Sequence, residues 1–320
     1  MRIQISATQA HQRVDKFIRR WIHEAPLSFI YKMFRQKDVK INGKRAAIDQ
    51  MLNEGDVVDI YLKPDLLEKF QKVVKPEVVK ADFKILYEDQ NILIADKPAG
   101  LLVHAEEGEK RINLANMFVN YLIQKGEYDP KASFGFTPGP AHRLDRNTSG
   151  IVVLGKNLPA MQELLKLFRE RTQIRKEYIT LVAGQLPKAG KIDIPLAKDA
   201  QKGMVHRANL KDGGKTAITV YERVKQYSET ALAKVELLTG RTHQIRAHFA
   251  LIGHPVVGDG KYGDFKINKE FQDLYGVRYQ LLHAARFTFL KPEGVLSYLA
   301  DRTFVAPLPE KFQQIIDSLS

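Results

Sequence analysis

The sequence contains no cysteine among its 320 residues. This absence excludes disulfide bonds, cysteine-ligated zinc sites and catalysis by a thiolate. It therefore also excludes enzymes that methylate a pyrimidine ring carbon in RNA by means of a cysteine nucleophile.

Long apolar runs are also absent. No stretch approaches the roughly 20 residues that a membrane-spanning helix needs. The N-terminus lacks the apolar core of a signal peptide. We therefore expect a soluble protein of the cytoplasm.

Acidic residues are scarce relative to basic ones. The chain has 37 Asp and Glu against 50 Lys and Arg, which gives a formal net charge of +13 and a pI of about 9.6. This balance favours a polyanionic partner, and nucleic acid is a simpler partner than a membrane surface. The length is sufficient for two domains with a sizeable core.

The main candidate for a functional site lies at residues 142–154. Asp145 stands between Arg143 and Arg146, and the apolar residues 151–154 predict a buried strand. We therefore expect Asp145 on a loop at the mouth of a strand, where rigid scaffolds present reactive groups. The neighbouring arginines favour the ionised carboxylate, which can act as a base or a nucleophile. An Arg-x-Asp alone is also typical of a structural salt bridge.

Two further stretches carry candidate functional groups. Residues 176–184 alternate as a strand and include Tyr178, which alone is typical of a half-buried strand tyrosine. Residues 238–248 are rich in basic residues, and alone they are typical of an amphipathic helix. His243 and His248 are five residues apart and do not share a helical face well, so this spacing does not favour zinc.

A glycine-rich pattern near residue 260 is a weak indication of a nucleotide-binding site. Residues 258–263, Gly-Asp-Gly-Lys-Tyr-Gly, satisfy the spacing G-x-G-x-x-G. No apolar helical pattern follows them, so a dinucleotide site is not expected there.

Residues 1–62 predict a small module of helices and strands. Val14, Phe17 and Trp21 share one face of a predicted helix. Ser28 is a candidate cap for a second helix. An Asn-Gly turn and a late strand complete the module.

Positive charge is concentrated in this module. Residues 13–45 contain ten Lys or Arg against three acidic residues, a local excess of +7. Charged helix faces are usually just solvated, but this excess fits a phosphate-binding surface better. Residues 63–80, bracketed by Pro64 and Pro76, are charged and poor in apolar residues, so they predict a linker.

Three motifs together resemble those of one enzyme family. The run from His142 to Gly150, His-Arg-Leu-Asp-Arg-Asn-Thr-Ser-Gly, resembles the signature around the catalytic aspartate of the RluA-type pseudouridine synthases. Residues 97–104, which begin Lys-Pro-Ala-Gly, resemble a segment implied to support the active site. Residues 238–248 resemble the third family motif. The resemblance covers nearly the whole chain.

The resemblance implies an α+β fold with two domains. Residues 1–62 resemble a small RNA-binding domain of the ribosomal protein S4 type, and residues 63–80 form the linker. Residues 81–320 then form the pseudouridine synthase catalytic domain. Its implied sheet is mixed and mainly antiparallel, flanked by helices and loops.

The resemblance also implies roles for individual residues. Asp145 is the implied nucleophile, Arg246 pairs with it and orients it, and Tyr178 stacks on the target uracil. Arg143 is implied to fill the space that the flipped nucleotide leaves. Either Leu281 or Leu282 packs on the base, and the sequence leaves this choice open. The full set of predicted substrate-binding residues is Arg143, His142, Leu282, Arg241, Arg13, Lys32, Arg35 and Lys40.

The implied function is isomerisation of specific uridines in RNA to pseudouridine, with no cofactor and no metal. The type of N-terminal domain favours large-subunit (23S) ribosomal RNA over transfer RNA as substrate, and we expect a monomer. Attack of Asp145 on the sugar or on ring carbon 6 stays open. Two alternatives are a non-catalytic RNA-binding or ribosome assembly protein, which would not need Asp145, and a metal-dependent RNA hydrolase.

Overall fold

The computed structural model describes residues 1–6, 9–70, 83–105, 112–130, 136–199 and 203–319. The chain divides into two compact units. The smaller unit comprises Met1–Asp82, Ala115–Gly139 and Gly155–Gln162, and the larger unit comprises Phe83–Leu114, Pro140–Leu154 and Glu163–Ser320. The predicted domain limits at 62, 80 and 81 stay a prediction, and residues 71–80 of the predicted linker lie outside the described residues.

The first 70 residues form short strands and three helices. Their strands are β1 (Arg2–Gln4), β2 (Gln12–Arg13), β3 (Val39–Ile41), β4 (Lys44–Arg45), β5 (Met51–Leu52) and β6 (Val57–Ile60), and their helices are α1 (Val14–Trp21), α2 (Leu27–Gln36) and α3 (Pro64–Phe70). Four of the strands form an antiparallel sheet in the order β1-β6-β3-β4. The predicted helix face is confirmed, because Val14, Phe17 and Trp21 are all buried.

The expected cap at Ser28 is wrong. Helix α2 begins one residue earlier, at Leu27, and Pro26 is its N-cap. Proline sets φ near the value that the start of a helix requires, so the helix begins directly after it. Ser28 therefore lies inside the first turn rather than in front of it.

The remaining elements include a large sheet, a separate two-stranded sheet and several helices. The strands are β7 (Lys84–Glu88), β8 (Ile92–Lys97), β9 (Gly139–Pro140), β10 (Ser149–Gly155), β11 (Ile174–Ala183), β12 (Ala189–Asp193), β13 (Leu196–Lys198), β14 (Val205–Arg207), β15 (Ile218–Gln226), β16 (Thr230–Leu237), β17 (Leu282–Phe289) and β18 (Thr303–Val305). The helices are α4 (Leu114–Gln124), α5 (Leu158–Glu170), α6 (Gln244–Leu251), α7 (Phe265–Tyr275) and α8 (Glu310–Ser318). Short 3-10 turns occur at Leu210–Asp212 and Gly294–Leu299.

The sheet is mixed and mainly antiparallel, as predicted. Its main path runs β12-β15-β16-β11-β17-β10-β8-β7, while β18 joins β17 and β9 joins β10. Strands β10 and β17 pair in parallel, whereas β11 pairs antiparallel with both β16 and β17. No helix in the described part of the chain is long and apolar enough to cross a membrane.

Strands β10 and β17 approach each other closely at the start of β10. Gly150 has φ +105°, and a Cβ atom there would lie 2.3 Å from the carbonyl oxygen of Ala284. One residue earlier, the Ser149 hydroxyl lies 2.8 Å from Nδ1 of the buried His283, whose Nε2 lies 3.2 Å from the Ala306 carbonyl. Since a carbonyl only accepts, Nε2 carries the proton and Ser149 donates to Nδ1. These contacts fix the point at which β10 begins.

Candidate active site

A cavity of about 320 Å³ in the larger unit contains the predicted catalytic residues. Its walls come from the loop before β10, the end of α5, strand β11, the segment 237–246 and the start of β17. Asp145, Arg246 and Tyr178 all line this cavity, although they are far apart in the sequence. The predicted substrate-binding residues His142, Arg143, Arg241 and Leu282 line it as well.

Asp145 lies on the loop between β9 and β10, as the sequence predicted. The backbone N–H of Thr148 donates to the Asp145 carbonyl at 3.0 Å, which closes a turn around the acid. The Asp145 side chain is 22% exposed. The carboxylate is therefore accessible from the cavity while its backbone is held.

The side chain of a buried lysine, Lys97, holds the loop that carries Asp145 through hydrogen bonds to backbone carbonyls. Nζ of Lys97 donates to the carbonyls of Pro98, Leu101 and Arg146 at 2.9, 2.8 and 2.9 Å. Gly100 N–H also donates to the Arg146 carbonyl, at 2.9 Å. Because Arg146 directly follows the acid, these bonds tie the position of Asp145 to the 97–101 turn.

Arg246 joins Asp145 to a second, fully buried carboxylate. Its Nη1 donates to Oδ2 of Asp145 at 2.9 Å, and its Nε and Nη2 donate to the two oxygens of Asp259 at 2.7 and 2.9 Å. The Arg246 side chain is 7% exposed and that of Asp259 is 0% exposed. The backbone N–H groups of Lys261 and Tyr262 donate to the same Asp259 carboxylate. Asp259 therefore fixes the guanidinium in one orientation.

The charges in this group reinforce one another. Burial opposes ionisation of both groups, but hydrogen bonds and opposite charge outweigh it. The pKa of Arg246 is consequently raised above its ordinary value, and the pKa of Asp259 is held below its ordinary value. With all three groups ionised, Asp145, Arg246 and Asp259 carry a net charge of −1.

His243 lies at the edge of the same group. Its Nε2 is 3.9 Å from Oδ2 of Asp145, and its Nδ1 is 2.9 Å from the Tyr262 hydroxyl. Burial lowers the pKa of His243, although the charge of Asp145 opposes this shift. The Tyr262 hydroxyl accepts from the Val205 N–H at 2.7 Å, and the ring of Tyr262 lies 5.3 Å from the Arg246 guanidinium carbon. Tyr262 therefore supports both the histidine and the arginine.

Tyr178 and Leu282 form an apolar part of the wall. Tyr178 is 7% exposed and Leu282 is 4% exposed. Tyr178 stands where the pairing of β11 with β17 shifts register, and such irregularities re-aim side chains. Burial, with the nearby charge of Asp145, raises the pKa of Tyr178, so its hydroxyl stays protonated near neutral pH. Of the two leucines left open by the sequence, Leu282 lines this cavity and Leu281 does not.

A family comparison decides what kind of enzyme this cavity belongs to. The model of the RNA pseudouridylate synthase family matches residues 91–251. The chain belongs to this family. Membership confirms the predicted enzyme class, an isomerase that converts uridine in RNA to pseudouridine.

Several individual pseudouridine synthases are similar to this chain over most of its length. The ribosomal large subunit pseudouridine synthase C of Vibrio vulnificus is 31% identical over 99% of this chain and 96% of its own. An uncharacterised RNA pseudouridine synthase of Aquifex aeolicus is 37% identical over 83% of this chain and 82% of its own. The structure of human RNA pseudouridylate synthase domain containing 4 has a TM-score of 0.58 at 23% identity, covering 74% of this chain and 93% of that one. This last likeness shows the pseudouridine synthase fold.

His142 lies in the cavity wall, and neighbouring residues of the protein fix the position of its ring. Its Nε2 accepts from the Val153 N–H at 3.0 Å, and its ring stacks on Phe168 with centroids 4.4 Å apart. Burial lowers the pKa of His142 to about 3, so the ring is neutral. Its binding role stays a prediction, and its contacts are those of a residue that shapes the wall.

The basic residues predicted in the first 62 residues belong to the smaller unit. Arg13 is bound to Asp15 through two hydrogen bonds of 2.9 Å. Nζ of Lys40 lies 5.1 Å from the ring centroid of Tyr61. Arg35 lines a surface cavity of about 550 Å³, and Lys32 is exposed. Their roles in RNA binding stay predictions.

Sequence reasoning missed three groups of the site. Asp259 was set aside with the glycine pattern 258–263, and Arg171 and Lys176 were not assigned roles. The signal for Asp259 was available but weak, because an acid two residues after the apolar pair Val256 and Val257 is only a general sign of a loop that carries functional groups. Among the described residues, no three His, Asp or Glu side chains are grouped so that they could hold a metal ion.

Proposed function

We propose that this pseudouridine synthase acts on large-subunit ribosomal RNA, with Asp145 as its nucleophile. One observation carries the nucleophile assignment. The bonds of Asp145 to Arg246 and its approach to His243 use Oδ2 alone, so Oδ1 has no hydrogen-bond partner among the described residues. A carboxylate oxygen held at the wall of a cavity without a hydrogen-bond donor is suited to attack an electrophilic carbon.

The reaction needs neither energy input nor electron transfer. In one route, Asp145 attacks ribose carbon 1′, a C–O bond forms, and the bond from carbon 1′ to nitrogen 1 of uracil breaks. The base turns, carbon 5 displaces the carboxylate, carbon 5 loses its proton, and nitrogen 1 gains one. In the other route, Asp145 first adds to carbon 6 and the double bond between carbons 5 and 6 is lost; the bond from carbon 1′ to nitrogen 1 breaks, the base turns, carbon 5 bonds to carbon 1′ and loses its proton, nitrogen 1 gains a proton, and expulsion of the carboxylate restores the double bond. Both routes use the same carboxylate.

The other residues of the cavity position the reactants. A target uridine must leave its stack, at a cost of a few kcal/mol within a duplex and less in a loop. Tyr178 and Leu282 offer it an aromatic and an aliphatic surface. Arg246 orients Asp145, and Arg143 occupies the space that the base leaves in the RNA. The Tyr178 hydroxyl lies in the same wall and is protonated near neutral pH, so it is a candidate to relay the proton from carbon 5 to another acceptor rather than to retain it.

The substrate assignment rests on relatives and on charge. Relatives spanning nearly the full chain are named for the ribosomal large subunit. The local excess of +7 within residues 13–45 fits an S4-like RNA-binding domain at residues 1–62. We also propose that the enzyme acts as a monomer on RNA in the cytoplasm.

Pseudouridine mapping tests the proposal. Unmodified large-subunit RNA and transfer RNA are each incubated with wild-type protein or Asp145→Asn, with EDTA throughout. We expect new pseudouridine in the ribosomal RNA with the wild type, and none with Asp145→Asn although it still binds RNA. Modification of transfer RNA alone would overturn the substrate, and full activity of Asp145→Asn would overturn the nucleophile.

A further inference from the structure

One wall of the cavity carries three cations that lack an acidic partner. Arg171, Lys176 and Arg241 all line the cavity, and none forms an ion pair with any acidic residue that the structure describes. By contrast, the neighbouring Arg175 lies 3.4 Å from Glu236, and Arg246 is held by two carboxylates. Of the residues lining the cavity, Asp145 alone is acidic, and it is already bound to Arg246.

Among the described residues, the side chains of these cations donate hydrogen bonds only to backbone carbonyls. Arg171 donates from Nε to Phe168 at 3.0 Å and from Nη2 to Gly240 at 3.4 Å. Arg241 donates from Nε to the Thr216 carbonyl at 2.9 Å. Lys176 makes no hydrogen bond with a described residue, and its Nζ lies 6.0 Å from the ring centroid of Phe168. The wall therefore retains donors and positive charge that the protein does not satisfy.

Mutual repulsion adds to the cost of this arrangement. Burial, followed by the charge of Arg171, lowers the pKa of Lys176 to about 8. Burial, followed by the charge of Arg241, lowers the pKa of Arg171. Like charges held together in a partly buried wall are unfavourable, and a bound anion would relieve them.

The backbone conformation at Arg171 and at the neighbouring Gly240 accommodates the Arg171 side chain. Arg171 directly follows α5 and has φ +64°, in the left-handed region that non-glycine residues seldom adopt. A Cβ atom at Gly240 would lie 3.2 Å from Arg171 Nη2, tighter than most contacts. Gly240 thus leaves room for the guanidinium beside it.

We propose that Arg171, Lys176 and Arg241 bind a backbone phosphate flanking the target uridine. This inference rests on the proposed function. Lys176 and Tyr178 are two residues apart on β11, a separation of about 6.6 Å, so a base against Tyr178 brings its own phosphates near Lys176. A phosphate accepts several charge-assisted hydrogen bonds at once, which matches the free donors of this wall.

A double-mutant cycle between protein and RNA tests the inference. Short RNAs carry a uridine mapped with the wild-type enzyme, with the phosphate on its 5′ or its 3′ side replaced by a neutral methylphosphonate. Affinity is measured in the Asp145→Asn background, alone and combined with Lys176→Gln or Arg171→Gln. Arg175→Gln, next in the chain but paired with Glu236, is the matched control.

We expect one of the two methylphosphonates to weaken binding by about tenfold, but to cause little further loss once Lys176→Gln or Arg171→Gln is present. The slope of log affinity against log salt should fall by roughly 0.7 for each of these variants, the value for one single-strand phosphate contact. Lys176→Arg should restore most of the affinity, which separates loss of charge from misfolding.

The phosphate site would be overturned if, with both methylphosphonates, the loss of affinity caused by Lys176→Gln or Arg171→Gln simply added to the loss caused by the RNA change, as is expected for Arg175→Gln. It would also be overturned by a Lys176→Gln enzyme with normal RNA affinity and a greatly reduced rate at saturating RNA. Either result leaves pseudouridine formation by the wild type intact, whereas failure of the proposed function abolishes it or moves it to another RNA.

Discussion

Replacing Asp259 with asparagine tests whether a residue outside the cavity lining controls the chemistry within it. Asp259 accepts two hydrogen bonds from Arg246, while Asp145 accepts one. The amide of asparagine can accept only one of the two, and its NH₂ group would face a guanidinium N–H. Arg246 would therefore lose its fixed orientation and with it the position of Asp145.

The structure sets the size of the expected effects. Breaking a buried ion pair by removing one partner costs about 3–5 kcal/mol. Arg246 keeps Asp145 and one bond to the asparagine, so we expect a loss near the lower end, about 3 kcal/mol in the free energy of unfolding. A displacement of about 1 Å in a catalytic group costs roughly a hundredfold in rate, so kcat should fall by about that factor.

The assay separates positioning from general damage. Single-turnover pseudouridine formation at saturating RNA, together with KM and urea denaturation, is compared for wild type, Asp259→Asn and Asp264→Asn. Asp264 caps α7 by accepting from the Ile267 N–H on the surface, and asparagine caps equally well, so this control should behave as wild type. Because Asp259 is fully buried, its replacement should leave KM nearly unchanged. A folded Asp259→Asn enzyme with kcat within about twofold of wild type would refute the reasoning.

Three further predictions concern residues that hold strand β10 and the Asp145 loop in place. Gly150→Ala should destabilise the protein by about 3 kcal/mol or more, because its Cβ atom would lie 2.3 Å from the Ala284 carbonyl oxygen; a normal urea midpoint would contradict this. Lys97→Met should cost about 3 kcal/mol, since three carbonyls lose their donor, and kcat should fall with stability; unchanged denaturation would exclude the anchoring role. Burial lowers the pKa of His283 to about 4, below its unfolded value, so the unfolded chain binds the extra proton between pH 6.5 and 4. Stability should therefore fall on acidification through this window, by up to about 1.4 kcal/mol per pH unit. The slope should be smaller in His283→Gln; identical slopes in urea titrations would count against this assignment.

Local patterns predicted local structure well. The apolar spacing in α1 is confirmed because a helix on a sheet buries one face, and that face repeats every 3.6 residues. The strand after Asp145 is confirmed because residues 149–155 are all buried, which demands a continuous apolar run. Both outcomes depend only on residues close together in the chain.

Contacts between distant residues could not be read from such patterns. Asp145 and Arg246 are 101 residues apart, and their pairing was expected only through the family resemblance. The choice between Leu281 and Leu282 depends on the register of β17, which is set by β10 and β11 rather than by the leucines. Asp259 was missed for the same reason, since only the fold brings it to Arg246.

The pairing of Arg246 with two carboxylates explains how a reactive acid and a cationic wall coexist in one cavity. If Arg246 had only Asp145, the pair would be neutral, and the Nε and Nη2 groups would be free to donate to another anion such as an RNA phosphate. Asp259 accepts from Nε and Nη2, so the guanidinium is held with Nη1 toward Asp145. With all three groups ionised, the trio carries a net charge of −1, whereas Arg171, Lys176 and Arg241 line the same cavity without an ion pair to any described acidic residue. The proposed nucleophile is thus held by its own arginine, while the other cations of the wall are left for the RNA backbone.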